Sequence, residues 1–272
     1  MKKNIYRDLL ILLIACVGIW IIFSRFPIFP EESPIKVPIA TEEKLGKMIV
    51  DELILTSDKK QVKTPYSDSC LAVIKHRLLK AMGNTDYEYK FILIDSPIVN
   101  AAALPGGYVI IFSGLIDFCD NAEELSAVLA HEIGHVEKKH IVNKLAKELG
   151  LSLILSTDKS VVGSVARMAT STAFDRKQEA EADKFALDLL FKTKINPHII
   201  GLFFTRLEEK YGTDRQNIEM LSTHPFNNAR VKASFEFSVP KDFKPVEYNF
   251  DWKKFQEEMK GTEEKDENES NR

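Results

Sequence analysis

The sequence predicts an α+β domain, mostly helical, with a small antiparallel sheet set beside one long helix. Three observations predict it. Apolar residues recur at three- and four-residue spacing over most of the chain beyond Thr41. Two stretches, Tyr87 to Ile94 and Tyr108 to Phe112, carry the β-branched and aromatic content of strands, with a Pro-Gly-Gly turn between them. At 272 residues, 44% hydrophobic and 28% charged, the chain can hold one large domain or two small ones. Its formal net charge is −3, and the tail from Gly261 to Arg272, with five acids against one lysine and one arginine, accounts for all of it. The remainder is near neutral, so nothing basic recommends a nucleic-acid partner.

At the N-terminus, Lys2, Lys3 and Arg7 precede an apolar run from Leu9 to Phe23. Fifteen apolar residues are short for a membrane helix, which needs about 20. The flanking Ile5, Tyr6 and Phe26 to Phe29 lengthen the run, and the excess of basic residues before it leaves the N-terminus in the cytoplasm. We expect residues 5–29 to contact the membrane as a single-pass anchor, with the folded domain on the periplasmic side. The alternative is a lipoprotein: Leu13-Ile14-Ala15-Cys16 resembles a lipid-processing box that would anchor the chain through Cys16. Pro27, Pro30, Pro34 and Pro38 then form an extended linker.

The first helix opens at Thr41, with Glu42 and Glu43 in its first turn and Leu45, Met48, Ile49 and Leu53 at helical spacing. A second runs from Ser67 to Met82 and stops at Gly83-Asn84, with His76 a solvated residue among basic neighbours. Cys70 and Cys119 either pair or stay buried as small hydrophobes. Between the two strands lies Asn100-Ala101-Ala102-Ala103-Leu104-Pro105-Gly106-Gly107. It reads either as a plain hairpin turn or as an edge strand and turn where small side chains admit a substrate backbone. We favour the second, with Asn100, Ala101, Ala102, Gly106 and Gly107 at the substrate.

Asn121 caps a long helix from Ala122 to about Leu149, with Glu123 and Glu124 in its first turn. Inside it stands His131-Glu132-Ile133-Gly134-His135. Residues four apart share a helical face, so two imidazoles converge on one point, an arrangement that suits a zinc ion, while Glu132 can reach a water on that ion. His140, five residues past His135, points well around the helix and is not expected to be a ligand. Leu151 to Ala173 reads as a buried connector.

The helix from Arg176 to Phe191 starts with Glu179, Glu181 and Asp183. A catalytic zinc takes three protein ligands. Glu179 and Asp183 lie one turn apart, so one could bind the metal while the other holds a ligand imidazole from behind. Spacing does not order the two, and Glu181 points elsewhere. Helices from Pro197 to Tyr211, from Asn227 to Ser234 and from Phe250 to Met259 complete the body.

Taken together, His131-Glu132-Ile133-Gly134-His135 and Glu179-Ala180-Glu181-Ala182-Asp183 resemble the membrane-linked zinc endopeptidases of the HtpX and BepA/LoiP type. Asn100 with Leu104-Pro105-Gly106-Gly107, Arg176, and Thr223-His224-Pro225 with Arg230 extend the match over Thr41 to Ser234. HtpX-type members span the membrane several times and BepA carries a long tetratricopeptide extension. This chain resembles the short, LoiP-like periplasmic form.

The resemblance implies a gluzincin-like domain over residues 31–260, between an anchor segment at 1–30 and a disordered acidic tail at 261–272. It implies one zinc per chain on His131, His135 and Glu179, with Asp183, Arg176 and Arg230 supporting them. Glu132 would be the general base, and His224 would lie at the cleft, holding the oxyanion or occupying the metal's open position at rest. The implied activity is hydrolysis of unfolded or misassembled envelope proteins in quality control, the alternative being a zinc-bound, non-hydrolytic chaperone or assembly factor.

Overall fold

Helix breakers and caps set the first elements of the body. In the computed structural model, which describes residues 11–13, 15–18, 37–56, 60–150, 159–171, 173–212, 219–225 and 227–259, Val37 begins the body. Its first helix, α1 (Ile39–Thr56), buries Leu45, Ile49 and Val50. Thr64 and Ser67 exchange hydrogen bonds as a capping box and Pro65 takes the first turn of α2 (Pro65–Met82). Gly83, at φ 87°, ends α2 by adopting a conformation that side chains resist.

Three strands follow: β1 (Lys90–Ile94), β2 (Ala101–Leu104) and β3 (Tyr108–Phe112). They form one sheet in the order β1-β3-β2, with β2 antiparallel to β3 as a hairpin implies. The expected sheet was antiparallel throughout, whereas β1 pairs with β3 in parallel, so the sheet is mixed. The reason is chain path: β2 goes to the far side of β3, and β3 therefore returns in the direction of β1. This leaves β2 at an edge, beside the next long helix.

After the short α3 (Ser113–Phe118), Asn121 accepts a hydrogen bond from Glu124 N–H and caps α4 (Ala122–Glu137). This helix is buried on nearly every face, packed among β2, α5 (His140–Leu149), α7 (Arg176–Lys192) and α8 (Ile199–Tyr211). The expected single helix from Ala122 to Leu149 is two. Lys139 sits at φ 55°, in the left-handed region, and breaks α4 from α5. Such a residue costs about 1–2 kcal/mol. Here its side chain donates to the buried Glu42 carboxylate at 2.8 Å.

Helix α6 (Lys159–Ser171) packs on α1, with Val162, Val165 and Ala166 buried. Asp175 and Gln178 form a capping box at the start of α7. The crossing of α4 and α7 is close, since a Cβ on Gly134 would meet the Ala182 backbone at 3.1 Å. Two short helices follow, α9 (Glu219–Thr223) and α10 (Asn228–Glu236), the latter capped by Asn227. The chain then straps back across α2 and α4. Arg77 donates to Thr193 O and Val246 O, Ser126 Oγ donates to Tyr248 OH, and Trp252 Nε1 donates to Cys119 O. A last helix, α11 (252–259), buries Phe255 and Met259. Cys70 and Cys119 are buried and unpaired.

The expected single-pass topology is corrected. Among the described residues no helix is long and apolar enough to cross a membrane, the apolar run itself being shorter than the roughly 30 Å hydrocarbon core demands. Within residues 5–29 the described residues are 11–13 and 15–18, which are helical and include the exposed Cys16. The linker prolines before Pro38 and the acidic tail lie outside the described residues.

Candidate metal centre

Four buried side chains from three elements converge on one point. Helix α4 supplies His131 and His135, α7 supplies Glu179, and the segment after α9 supplies His224, each with a ligand atom within 4.8 Å of the others. His131 Nε2 lies 3.1 Å from His135 Nε2 and 3.2 Å from His224 Nδ1. His224 Nδ1 lies 3.0 Å from Glu179 Oε1, which is 3.5 Å from His135 Nε2. Zinc–nitrogen bonds of about 2.0–2.1 Å put tetrahedral donors roughly 3.3 Å apart, so this donor set fits a zinc-sized ion. The residues are of the right chemistry too: three imidazoles and one carboxylate, all shielded from water.

The supporting contacts are equally defined. His131 Nδ1 lies 3.0 Å from Asp183 Oδ1, which leaves Nε2 to face the donors. Arg230 Nε and Nη2 donate to the two Asp183 oxygens at 2.7 and 2.8 Å, and its Nη1 lies 2.6 Å from Glu179 Oε2. The guanidinium also rests 4.6 Å from the centre of the Phe204 ring. Phe174 stacks on His135 with centroids 3.8 Å apart.

These neighbours set the charges. Burial alone would raise the Glu179 carboxyl, but His224 and the hydrogen-bonding histidines hold it well below the ordinary range, ionised. Burial likewise opposes ionisation of Asp183, yet the Arg230 hydrogen bonds and His131 hold it down to about 2. Burial lowers His135. For His224, burial is outweighed by Glu179 and Glu132, which raise it.

Glu132 stands beside the donors, not among them. Its Oε2 accepts from Ala103 N–H at 2.8 Å, which ties it to strand β2. Its Oε1 lies 3.3 Å from His224 Nε2 without forming a hydrogen bond. A small pocket opens here, lined by Asn100, Ala101, Ala102, Glu132, Thr170 and His224 among others. Both polar atoms of the Asn100 side chain are buried and unpartnered.

Thus the structure brings together His131, Glu132, His135, Glu179, Asp183, His224 and Arg230, with Asn100, Ala101 and Ala102 at the pocket wall. It does not bring Gly106, Gly107 or Arg176 to that pocket. Gly106, at φ 74°, has the Glu43 backbone where a Cβ would go, and Gly107, at φ 82°, abuts Tyr87 and Glu88. Arg176 is exposed at the start of α7, lining an outer groove with Asp183 and Arg230. Sequence reasoning missed His140, which lies 3.0 Å from His135. Only the break at Lys139, which no sequence signal marked, puts it there.

Comparison with known proteins shows the family. The chain is 25% identical over 211 residues to the beta-barrel assembly-enhancing protease of Escherichia coli, covering 71% of this chain and 43% of that one. It is 26% identical over 215 residues to the mitochondrial metalloendopeptidase OMA1 of Schizosaccharomyces pombe, covering 72% and 64%. Against the metalloprotease LoiP of Escherichia coli it is 27% identical over 200 residues, covering 68% and 77%. The chain spans about half the length of the curated relatives it matches first. The model of peptidase family M48 matches residues 67–236, from helix α2 to the end of α10 and so across every donor. With most of its folded body matched, the chain belongs to peptidase family M48, a metalloprotease by family.

Proposed function

We propose that this chain is a zinc-dependent endopeptidase, holding one zinc on His131, His135 and Glu179, that cleaves unfolded or misassembled envelope proteins. The observation that carries the reading is the place of Glu132: a buried carboxylate tied to β2 and next to the donors, with one oxygen left facing the pocket. A zinc site meant only for binding has no need of such a base. When bound, the ion supplies Lewis acidity, polarising a peptide carbonyl and acidifying a water molecule.

Glu132 takes the proton from the attacking water and delivers it to the departing amine. Asp183 and Arg230 keep His131 and Glu179 in place throughout. His224 has two parts to play. With Nδ1 among the donors it fills the fourth position and closes the site at rest. Withdrawn from the donors, its Nε2 holds the developing oxyanion. The substrate lies extended along the edge strand β2, near Asn100 to Ala102, through main-chain hydrogen bonds that make few demands on sequence. That tolerance, together with relatives named for beta-barrel assembly, supports misassembled proteins as substrates.

Zinc analysis together with casein cleavage tests the reading. Wild type and Glu132→Gln should each hold one zinc, with cleavage at least about 100-fold slower in the variant. If both hold zinc and neither wild type nor His224→Ala cleaves unfolded casein, the chain is instead a zinc-bound module without hydrolytic activity.

A further inference from the structure

His135 uses both ring nitrogens. Nε2 faces the donor set, and Nδ1 lies 3.0 Å from Nδ1 of His140, whose own Nε2 lies 3.0 Å from Glu181 Oε2. The three groups come from three helices, α4, α5 and α7. One proton arrangement satisfies every contact. His135 Nε2 is bare for the metal, so its proton is on Nδ1 and is donated to His140 Nδ1. His140 then carries its single proton on Nε2 and donates it to the Glu181 carboxylate. His131 reaches the same end in one step, through Asp183.

We propose that His140 and Glu181 are positioning residues: they form a histidine–carboxylate relay that fixes the tautomer and ring orientation of the metal-facing His135. The two ligand histidines of α4 thus have separate supports, a carboxylate in direct contact for His131 and a relayed one for His135. Helix α7 supplies both, since Asp183 backs His131, Glu181 ends the relay, and Glu179 joins the donors. The relay also gives the break at Lys139 a purpose. In one continuous helix, position 140 would lie some 140° around from position 135, too far for its ring to meet that imidazole. Phe174, stacked on His135, holds the ring plane but offers no hydrogen bond, so orientation about that plane falls to His140.

This inference rests on the zinc centre proposed above, and the test keeps the two apart. Zinc affinity is measured by competition with a chromophoric chelator, and stability of the metal-free proteins by thermal melting. The side chain of Glu181 is 43% exposed, so its variants should fold whatever the relay does. We expect His140→Phe, which fills the space without offering a nitrogen, to weaken zinc binding about 10–100-fold. His140→Asn restores an acceptor near the place of Nδ1 and should recover most of that loss. Glu181→Ala should weaken zinc and Glu181→Gln, which can still accept, should not. If His140→Phe does not fold, the two Glu181 variants decide the matter. Zinc bound by His140→Phe and Glu181→Ala as tightly as by wild type overturns the relay and leaves the metal centre standing. A wild-type chain that binds no zinc overturns the metal centre itself.

Discussion

Replacing Arg230 with methionine keeps much of its volume and removes its charge. The structure allows the cost to be worked out. Arg230 makes three contacts of 2.6 to 2.8 Å to two carboxylates, Asp183 and Glu179, and all three side chains are nearly or fully buried. Without the guanidinium, both acids remain in the interior opposed only by histidines. Breaking a buried pair in this way costs about 3–5 kcal/mol, because one charge is left without compensation. For a domain of this size that lowers the melting temperature by about 6–20 °C.

Two further readings locate the effect. Zinc places positive charge beside Glu179, so the loss should be larger in chelated protein than in zinc-loaded protein. Arg230→Lys keeps the charge but cannot span both Asp183 oxygens, and should fall between wild type and Arg230→Met. The assay is thermal melting by circular dichroism, with and without chelator. A metal-free Arg230→Met protein within about 1 kcal/mol of wild type would refute the argument, because surface ion pairs are worth no more than that.

Gly134→Ala should destabilise by about 1–3 kcal/mol and weaken zinc binding, because the new methyl meets the Ala182 backbone at 3.1 Å, where no flexible side chain can give way. Urea unfolding with zinc titration would show it, and wild-type values would mean that the helices part without cost. Arg77→Ala removes the donor to Thr193 O, Lys194 O and Val246 O and should cost about 1.5–3 kcal/mol. Limited proteolysis should then cut within residues 237–251 faster than in wild type; an unchanged pattern counts against Arg77 as the clasp of the strap. Chelation should lower the melting temperature reversibly, with zinc restoring it, since four buried donors lose their common partner. A melting curve indifferent to chelator would remove the metal from the account.

Much of the chemistry was legible in local spacing. His131 and His135, four apart on a capped helix, had to share a face, and Glu132 next to them had to lie beside that face. Glu179 and Asp183, one turn apart, were marked as a pair. These are properties of a single helix, and the helix preserves them wherever it packs. What spacing left open is which of the two acids joins the donors, because both lie on the same face. The close crossing at Gly134 and Ala182 decides it, setting Glu179 opposite both histidines and Asp183 against His131 and Arg230.

The parallel pairing of β1 with β3 and the break at Lys139 were hidden for the same kind of reason. Strand composition does not report direction, and a lysine at positive φ opposes its own local preference. It is held there by a carboxylate, Glu42, nearly a hundred residues away in sequence. By itself, then, the sequence placed two histidines on one helical face with an acid beside them, and showed the family they resemble. Only the tertiary structure decided the order of the acids and the place of His140, because both depend on contacts between helices that no local pattern encodes.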